Sequence, residues 1–246
     1  MSISLHPTTP AESEADPNGP TYRLSVEQYH RMKREGILTK DDRVELREGL
    51  IHRKTPSTDS PFYPLSVEQY HRMTETGILT KHDRVELLEG WLVAKMGKNQ
   101  PHVVSATLTF RAISGLLPAG WFATKEDPVN ASDSEPEPDI MIVRGDIRDY
   151  TARAPENRDV ALVVEVSESS LLRDSSLKKR LYARSSFPVY WLINFVSNRV
   201  EVYTDPSGPT EKPDYLHRQD YGPTELTPLR IEGQEIGRIA VRDLLP

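Results

Sequence analysis

A mixed α/β fold is predicted by the order in which periodic segments follow one another along the 246 residues. Helical spacing of apolar residues begins after Ser66, after Pro101 and after Leu171. Short apolar runs typical of buried strands lie between and after these segments, and the longest is Val160–Ser167. Because helices and strands do not alternate regularly, the pattern argues against a doubly wound parallel sheet.

The composition indicates a soluble globular protein, with 37% hydrophobic and 28% charged residues. No cysteine is present, which excludes a disulfide framework and a thiolate metal site and fits the reducing cytoplasm. No apolar run approaches the roughly 20 residues needed to span a bilayer, and residues 1–20 lack a secretory signal. We therefore expect a cytoplasmic protein without a membrane partner. The net charge of −6 argues against tight non-specific binding to duplex DNA, although a local basic groove is left open.

The N-terminal part contains an internal repeat, in which residues 24–51 recur as 65–92 with 21 of 28 positions identical. Each copy opens with a Ser-x-x-Gln capping box, at Ser25 and Ser66, and continues with helical spacing, a glycine suited to a helix C-cap and a strand-like run. Repeat arrays need about three or more units, so two copies indicate a segmental duplication rather than a solenoid.

The surroundings of the two copies differ. Residues 65–92 continue directly into further strand pattern, whereas residues 24–51 run into a linker-like stretch at 53–61. We therefore predict a disordered tail at 1–20, an appended copy with its linker at 21–63, and the folded domain at 64–246. Deletion of residues 1–60 is expected to leave a folded and equally stable core. An exchange of the first copy for the second remains open as an alternative.

The remaining elements follow in chain order. Proline, glycine and polar clusters separate the periodic runs and set their limits. The predicted elements are a helix from Pro101 to Leu117, strands at Trp121–Thr124, Ile140–Val143 and Val160–Ser167, a helix at Leu171–Ser186, strands at Val189–Asn194 and Arg199–Tyr203, a loop at 205–224, and one or two short strands between Leu229 and Leu245.

Glu165 lies inside a run that otherwise predicts a buried strand, where an ionised group is costly unless a cation or a donor meets it. Asp139 stands at the entrance of the neighbouring predicted strand, so the two carboxylates can lie side by side in one sheet. Such a pair suits Mg²⁺, which prefers oxygen ligands. Lys178 follows Asp174 by one helical turn and is suited to orienting water or stabilising charge on a phosphoryl group.

At these positions the chain resembles the PD-(D/E)XK nuclease superfamily and, within it, the Uma-type family of putative restriction endonucleases. The resemblance covers roughly residues 64–246 and depends on an ordered set of motifs rather than on any single one. The motifs are Pro136-Glu-Pro-Asp139, Val164-Glu-Val-Ser167, Asp174-x-x-x-Lys178-x-x-x-Tyr182, Pro188-Val-Tyr-Trp-Leu-Ile193, and the N-terminal Arg84-Val-Glu-Leu-Leu-Glu-Gly90 with His102.

The resemblance implies a restriction endonuclease-like core, with a central mixed sheet flanked by helices. It implies that Asp139 and Glu165 bind Mg²⁺ or Mn²⁺. The lysine that the superfamily places two residues after the second acid is replaced here by Ser167, and the family pattern points instead to Lys178. Glu86 matches an acidic residue that the superfamily often adds to the site.

The leading hypothesis is a divalent-metal-dependent nuclease acting on nucleic acid, with DNA favoured over RNA and a homodimer left open. The alternative is a catalytically inactive nuclease-fold module for binding or assembly, favoured by the acidic charge and by Ser167. A glycosidase using Asp139 and Glu165 is disfavoured because no aromatic-rich sugar cleft is evident. Asp174 and Lys178 have a plainer interpretation as a solvated ion pair, and Glu165 with Lys178 as a structural one.

Overall fold

The computed structural model describes residues 21–55, 61–168 and 170–246, so the predicted tail at 1–20 lies outside the described residues. Within these ranges, helices α1–α5 and strands β1–β12 are short and closely spaced. They are α1 Val26–Arg34, β1 Val44–Arg47, β2 Leu50–Arg53, α2 Val67–Glu75, β3 Val85–Leu88, β4 Trp91–Ala94, α3 Gln100–Ser114, β5 Trp121–Thr124, β6 Ile140–Arg144, β7 Val160–Ser167, α4 Leu171–Arg173, α5 Lys179–Arg184, β8 Val189–Asn194, β9 Arg199–Pro206, β10 Tyr215–Tyr221, β11 Leu226–Ile231 and β12 Gln234–Ala240.

A central sheet of six strands organises the described residues, in the order β10-β9-β8-β7-β6-β5. Strands β7 and β8 run parallel, and the other neighbouring pairs are antiparallel. The predicted mixed α/β fold is thereby confirmed. Every residue of β7 is buried, which explains its almost continuous apolar sequence, because both faces of this central strand are covered.

The two faces of the sheet pack against different elements. On one face, Val164 and Trp191 pack with Ile113 of α3 and with the β11–β12 hairpin. On the other face, Val163 and Tyr190 pack with α5 and the β3–β4 hairpin. Since successive side chains of a strand point to opposite faces, Glu165 shares the α5 face with Val163.

The two copies of the repeat fold in the same way. Both predicted capping boxes are present at the starts of α1 and α2. Gly36 and Gly77 follow these helices with φ of +64° and +67°, the left-handed conformation that ends a helix. Each copy then forms a two-stranded hairpin, β1–β2 or β3–β4, and apolar side chains of both copies share one cluster.

Two element predictions were wrong. Residues 215–221 lie within the predicted loop but form the edge strand β10, whose five central residues are exposed and therefore show no alternation of apolar and polar side chains. The helix predicted from Leu171 to Ser186 is interrupted by a π-helical turn at Asp174–Lys178 and ends at Arg184.

Among the described helices, none has the length and apolar character needed to cross a bilayer.

Candidate active site

A cavity of about 650 Å³ opens beside the central sheet, at the start of β6 and the end of β7. The β3–β4 unit, the start of α3 and the α4–α5 segment form its other walls. Glu86, Asp139, Glu165 and Lys178 all line it. The structure therefore brings together the four residues that the sequence singled out, although they span more than 90 positions of the chain. Their catalytic roles stay predictions.

Asp139 and Glu165 face each other across two neighbouring strands. Asp139 stands one position before the registered pair Ile140–Val164, which places it opposite Glu165 on the same face of the sheet. The Asp139 Oδ2 atom accepts a hydrogen bond of 2.8 Å from the backbone N–H of Val166. This bond ties the Asp139 carboxylate to the strand that carries Glu165.

Two cationic or potentially cationic side chains surround the Asp139 carboxylate. Lys98 Nζ lies 2.8 Å from Oδ1, and His102 Nε2 lies 3.2 Å from Oδ2. Burial by itself would raise the pKa of Asp139, but the hydrogen bond from His102 and the charge of Lys98 outweigh it and hold the pKa below its ordinary value. Asp139 is therefore ionised at neutral pH.

Glu165 has a different environment. Its Oε1 atom accepts hydrogen bonds of 2.9 Å from Lys178 Nζ and 2.9 Å from the Tyr182 hydroxyl. Burial raises the pKa of Glu165 to about 8, and the neighbouring carboxylates, including Asp174 and Asp139, add to the effect of burial against the opposing charge of Lys178. The two acids thus differ in proton affinity because the His102 hydrogen bond and the Lys98 charge favour the ionised form of Asp139, whereas burial prevails at Glu165.

Lys178 is buried among carboxylates rather than exposed. Its ammonium lies 2.9 Å from Glu165 Oε1 and 3.4 Å from Glu86 Oε2, and its side chain is 4% exposed. Burial favours the neutral amine, but the charges of Glu165 in its ionised form and of Glu86 prevail and raise the pKa of Lys178 above its ordinary value. Lys178 therefore remains a cation, and the interpretation of Asp174 and Lys178 as a solvated pair is wrong because both are buried.

The π-helical turn is the segment from which both Asp174 and Lys178 turn inward. Asp174 accepts hydrogen bonds from the hydroxyls of Ser167 and Ser170. Ser167, two residues after Glu165, thus anchors the start of the segment that carries Lys178. The lysine reaches Glu165 from the helix instead of from β7.

The structure also separates Glu86 from its duplicate. Glu86 is 2% exposed, accepts a hydrogen bond of 3.2 Å from the Glu137 backbone N–H and lies beside Lys178. Glu45, its counterpart in the first copy, pairs with Arg47 on the β1–β2 hairpin. Only Glu86 of these two lines the cavity.

Sequence reasoning missed two basic residues of the site. Lys98 lies in the connection between β4 and α3, and Arg173 lies 3.9 Å from Glu86 at the cavity wall. Neither carries a motif signal, because only the folded chain brings them to the acids. Tyr182 is the last residue of the Asp174-x-x-x-Lys178-x-x-x-Tyr182 motif, but the sequence did not predict its hydrogen bond to Glu165.

A divalent cation in this cavity would be held by carboxylate oxygens. Among residues 21–55, 61–168 and 170–246, no group of three or more His, Cys, Asp or Glu side chains is arranged as a formed metal site. The Asp139–Glu165 pair nevertheless offers hard carboxylate oxygens on one face of a cavity, and Mg²⁺ is commonly held by one or two carboxylates with water in the other positions. In its chemistry the pair fits such an ion.

Comparison with known proteins decides the family. Residues 67–233 match the model of the Uma2 family, described as "Putative restriction endonuclease". This match spans more than half of the chain. The chain belongs to the Uma2 family. The resemblance noted in the sequence is thereby confirmed, and the matched region begins within α2, beyond the first copy of the repeat.

The fold is similar to that of a solved protein. The crystal structure of a putative nuclease from Anabaena variabilis superposes with a TM-score of 0.56 at 15% sequence identity, covering 74% of this chain and 97% of that chain. At this level of identity the similarity shows the fold. A comparison with curated proteins found no match.

Proposed function

We propose that this Uma2 protein is a divalent-metal-dependent nuclease that hydrolyses phosphodiester bonds in DNA. The observation that carries the proposal is the placement of Asp139 opposite Glu165 in the sheet, with Lys178 hydrogen-bonded to Glu165 in the same cavity. The family description supports a nuclease and favours DNA over RNA, because restriction endonucleases act on DNA.

Each residue has a distinct task in this proposal. Asp139 and Glu165 would hold Mg²⁺ or Mn²⁺, which supplies Lewis-acid polarisation of the phosphoryl group and a water of lowered pKa. Lys98 and His102 orient the Asp139 carboxylate through their contacts with its two oxygens. Lys178 is held as a cation beside Glu165 and is suited to stabilising the charge that develops on the phosphate.

The walls of the cavity contain several basic side chains, although the chain as a whole is acidic. Lys81, Arg84 and Lys95 line it together with Lys98 and Arg173. Contacts from such side chains to phosphate oxygens position a nucleic acid without reading its sequence. The cavity thus presents basic groups to a phosphodiester backbone, although acidic residues line the same cavity and the chain carries a net charge of −6.

The test compares cleavage of single- and double-stranded DNA with Mg²⁺ or Mn²⁺ by the wild type and by Glu165→Gln. Wild-type cleavage is expected to stop on chelation, and Glu165→Gln is expected to reduce the rate by about 100-fold or more, because the amide removes a charged ligand. The matched control pair is Glu86→Gln and Glu45→Gln, of which only the first should lower activity. Equal rates for wild type and Glu165→Gln would remove the catalytic assignment.

A non-enzymatic binding or assembly module is the second candidate. It is favoured by Ser167 at the position of the superfamily lysine and by Lys98, which is paired with Asp139. Metal titration separates the two candidates, because a ligand that binds only the native state raises the melting temperature by mass action. A nuclease should show a higher melting temperature with Mg²⁺ or Mn²⁺, whereas an unchanged melting temperature would support the module.

A further inference from the structure

The two copies of the repeat contact each other through the same interactions made in both directions. Arg31 donates to the carbonyl of Gly77 at 3.1 Å, and Arg72, its counterpart 41 positions later, donates to the carbonyl of Gly36 at 3.0 Å. Two further contacts are reciprocal in the same way. Gln28 donates to the Ile78 carbonyl at 3.0 Å, and its counterpart Gln69 donates to the Ile37 carbonyl at 2.9 Å. The Tyr22 hydroxyl donates to Asp83 at 2.6 Å, and its counterpart Tyr63 donates to Asp42 at 2.6 Å.

The backbone follows the same rule. The residues that lead into each copy pair with the hairpin of the other copy: the Tyr22 N–H donates to the Leu92 carbonyl at 2.8 Å, and the Tyr63 N–H donates to the Ile51 carbonyl at 2.9 Å. Bridges between Thr21 and Val93 and between Phe62 and His52 extend both pairings. Each hairpin thus gains a short strand segment from the other copy.

Equivalent apolar side chains of the two copies meet in one cluster. Met32 and Met73 are both fully buried in it, and Leu38 and Leu79 are 1% and 2% exposed. Neither copy encloses this cluster by itself, because its members come from both. Removal of one copy would therefore leave an apolar face on the other, rimmed by its own unpaired arginine and glutamine. The shared cluster argues against the expectation that a chain without residues 1–60 is equally stable as a monomer.

Such an interface is isologous: residue i of one side contacts residue j of the other, and residue j of the first side contacts residue i of the second. Two-fold symmetric dimers have interfaces of this type. Every group needed for both sides is present in residues 63–92: Tyr63 with Asp83, Gln69 with the Ile78 carbonyl, and Arg72 with the Gly77 carbonyl. The matched Uma2 region also begins at residue 67 and does not include the first copy.

We propose that the face of residues 65–92 covered by residues 24–51 is a homodimer interface, and that the first copy is a built-in substitute for a second chain. The full chain is then a monomer with an internal two-fold interface. Without the first copy, the same face takes residues 65–92 of a second identical chain. This inference goes beyond the proposed nuclease activity and does not depend on it.

The test is the molar mass in solution of the full chain and of a chain that begins at residue 61, measured by light scattering across a range of concentrations. The full chain should have its monomer mass of 27.9 kDa, and the shortened chain should have twice its own monomer mass. In the shortened chain, Arg72→Glu should restore the monomer, because each substitution is repeated on both sides of the two-fold axis. A folded shortened chain that stays monomeric, or a full chain that is itself dimeric, would overturn the proposal.

A second variant keeps the proposal testable if the shortened chain is insoluble. In the full-length protein, Met32→Asp places a charge in the shared cluster and should displace the first copy. The expected result is a folded dimer in which residues before 61 are rapidly cut by added protease. A folded monomer with the first copy protected would contradict the proposal, as would loss of folding in both variants, since the interface requires residues 61–246 to fold without the first copy.

Discussion

Burial of Glu165 beside Glu86, Asp139 and Asp174 concentrates negative charge in a small volume of the protein. Lys178 is in direct contact with two of these acids, Glu165 and Glu86, and Arg173 lies 3.9 Å from Glu86 and 3.7 Å from Asp174. Burial with too little positive charge nearby makes a carboxyl group hold its proton to a higher pH, which is why the pKa of Glu165 rises while that of Asp139 falls. A divalent cation between the two acids would relieve the same excess.

The raised pKa of Glu165 has a consequence for stability. The folded-state pKa of about 8 exceeds the ordinary value of 4.5, so the folded state binds more protons than the unfolded state between these pH values. The stabilisation of the folded state by the proton on Glu165 is complete below the ordinary pKa and is lost as pH rises through the folded-state pKa. In urea unfolding with chelator present, the wild type should therefore lose stability relative to Glu165→Gln between about pH 5 and about pH 8.5. Parallel pH dependences of the two proteins would show that Glu165 is ionised throughout this range.

At the level of the elements, β7 was predicted with its observed limits because its two faces are covered and its sequence is therefore apolar at almost every position. Strand β10 was missed because an edge strand needs no apolar alternation when five of its seven residues face solvent. Asp139, Glu165 and Lys178 were identified because their motifs follow one another along the sequence in the order that the family shows. Lys98 could not be identified in this way, because its contact with Asp139 depends on how the connection before α3 packs.

The two capping boxes offer a test of the shared core. Ser25 and Ser66 each accept a hydrogen bond of 3.1 Å from the backbone N–H three residues later. Replacement of either serine by alanine should lower the free energy of unfolding by about 1 kcal/mol. Because both helices belong to one apolar cluster, Ser25→Ala and Ser66→Ala should shift the same single urea transition. A separate early transition in Ser25→Ala alone would instead mean that the first copy unfolds independently.

For the whole molecule, the duplication doubles a helix–hairpin unit without doubling the candidate site. Glu86 lies beside Lys178, whereas Glu45 lies on a hairpin away from the cavity, and Asp139, Glu165 and Lys178 occur once. If the first copy replaces a second chain, each particle contains one candidate site, whereas a two-fold dimer would contain two. The number of sites per particle determines how a double-stranded substrate is cut.

A monomer with one site is expected to cut one strand of a duplex at each encounter. Given the proposed nuclease activity, the full chain with Mg²⁺ or Mn²⁺ should convert supercoiled plasmid DNA first to nicked circles, and linear DNA should appear only as a later product, as followed on agarose gels over time. The rate should rise in proportion to protein concentration, because no association of chains precedes cleavage. Glu165→Gln provides the control for contaminating nucleases. Linear DNA formed without a nicked intermediate, at a rate that rises with the square of protein concentration, would show that two chains cut together.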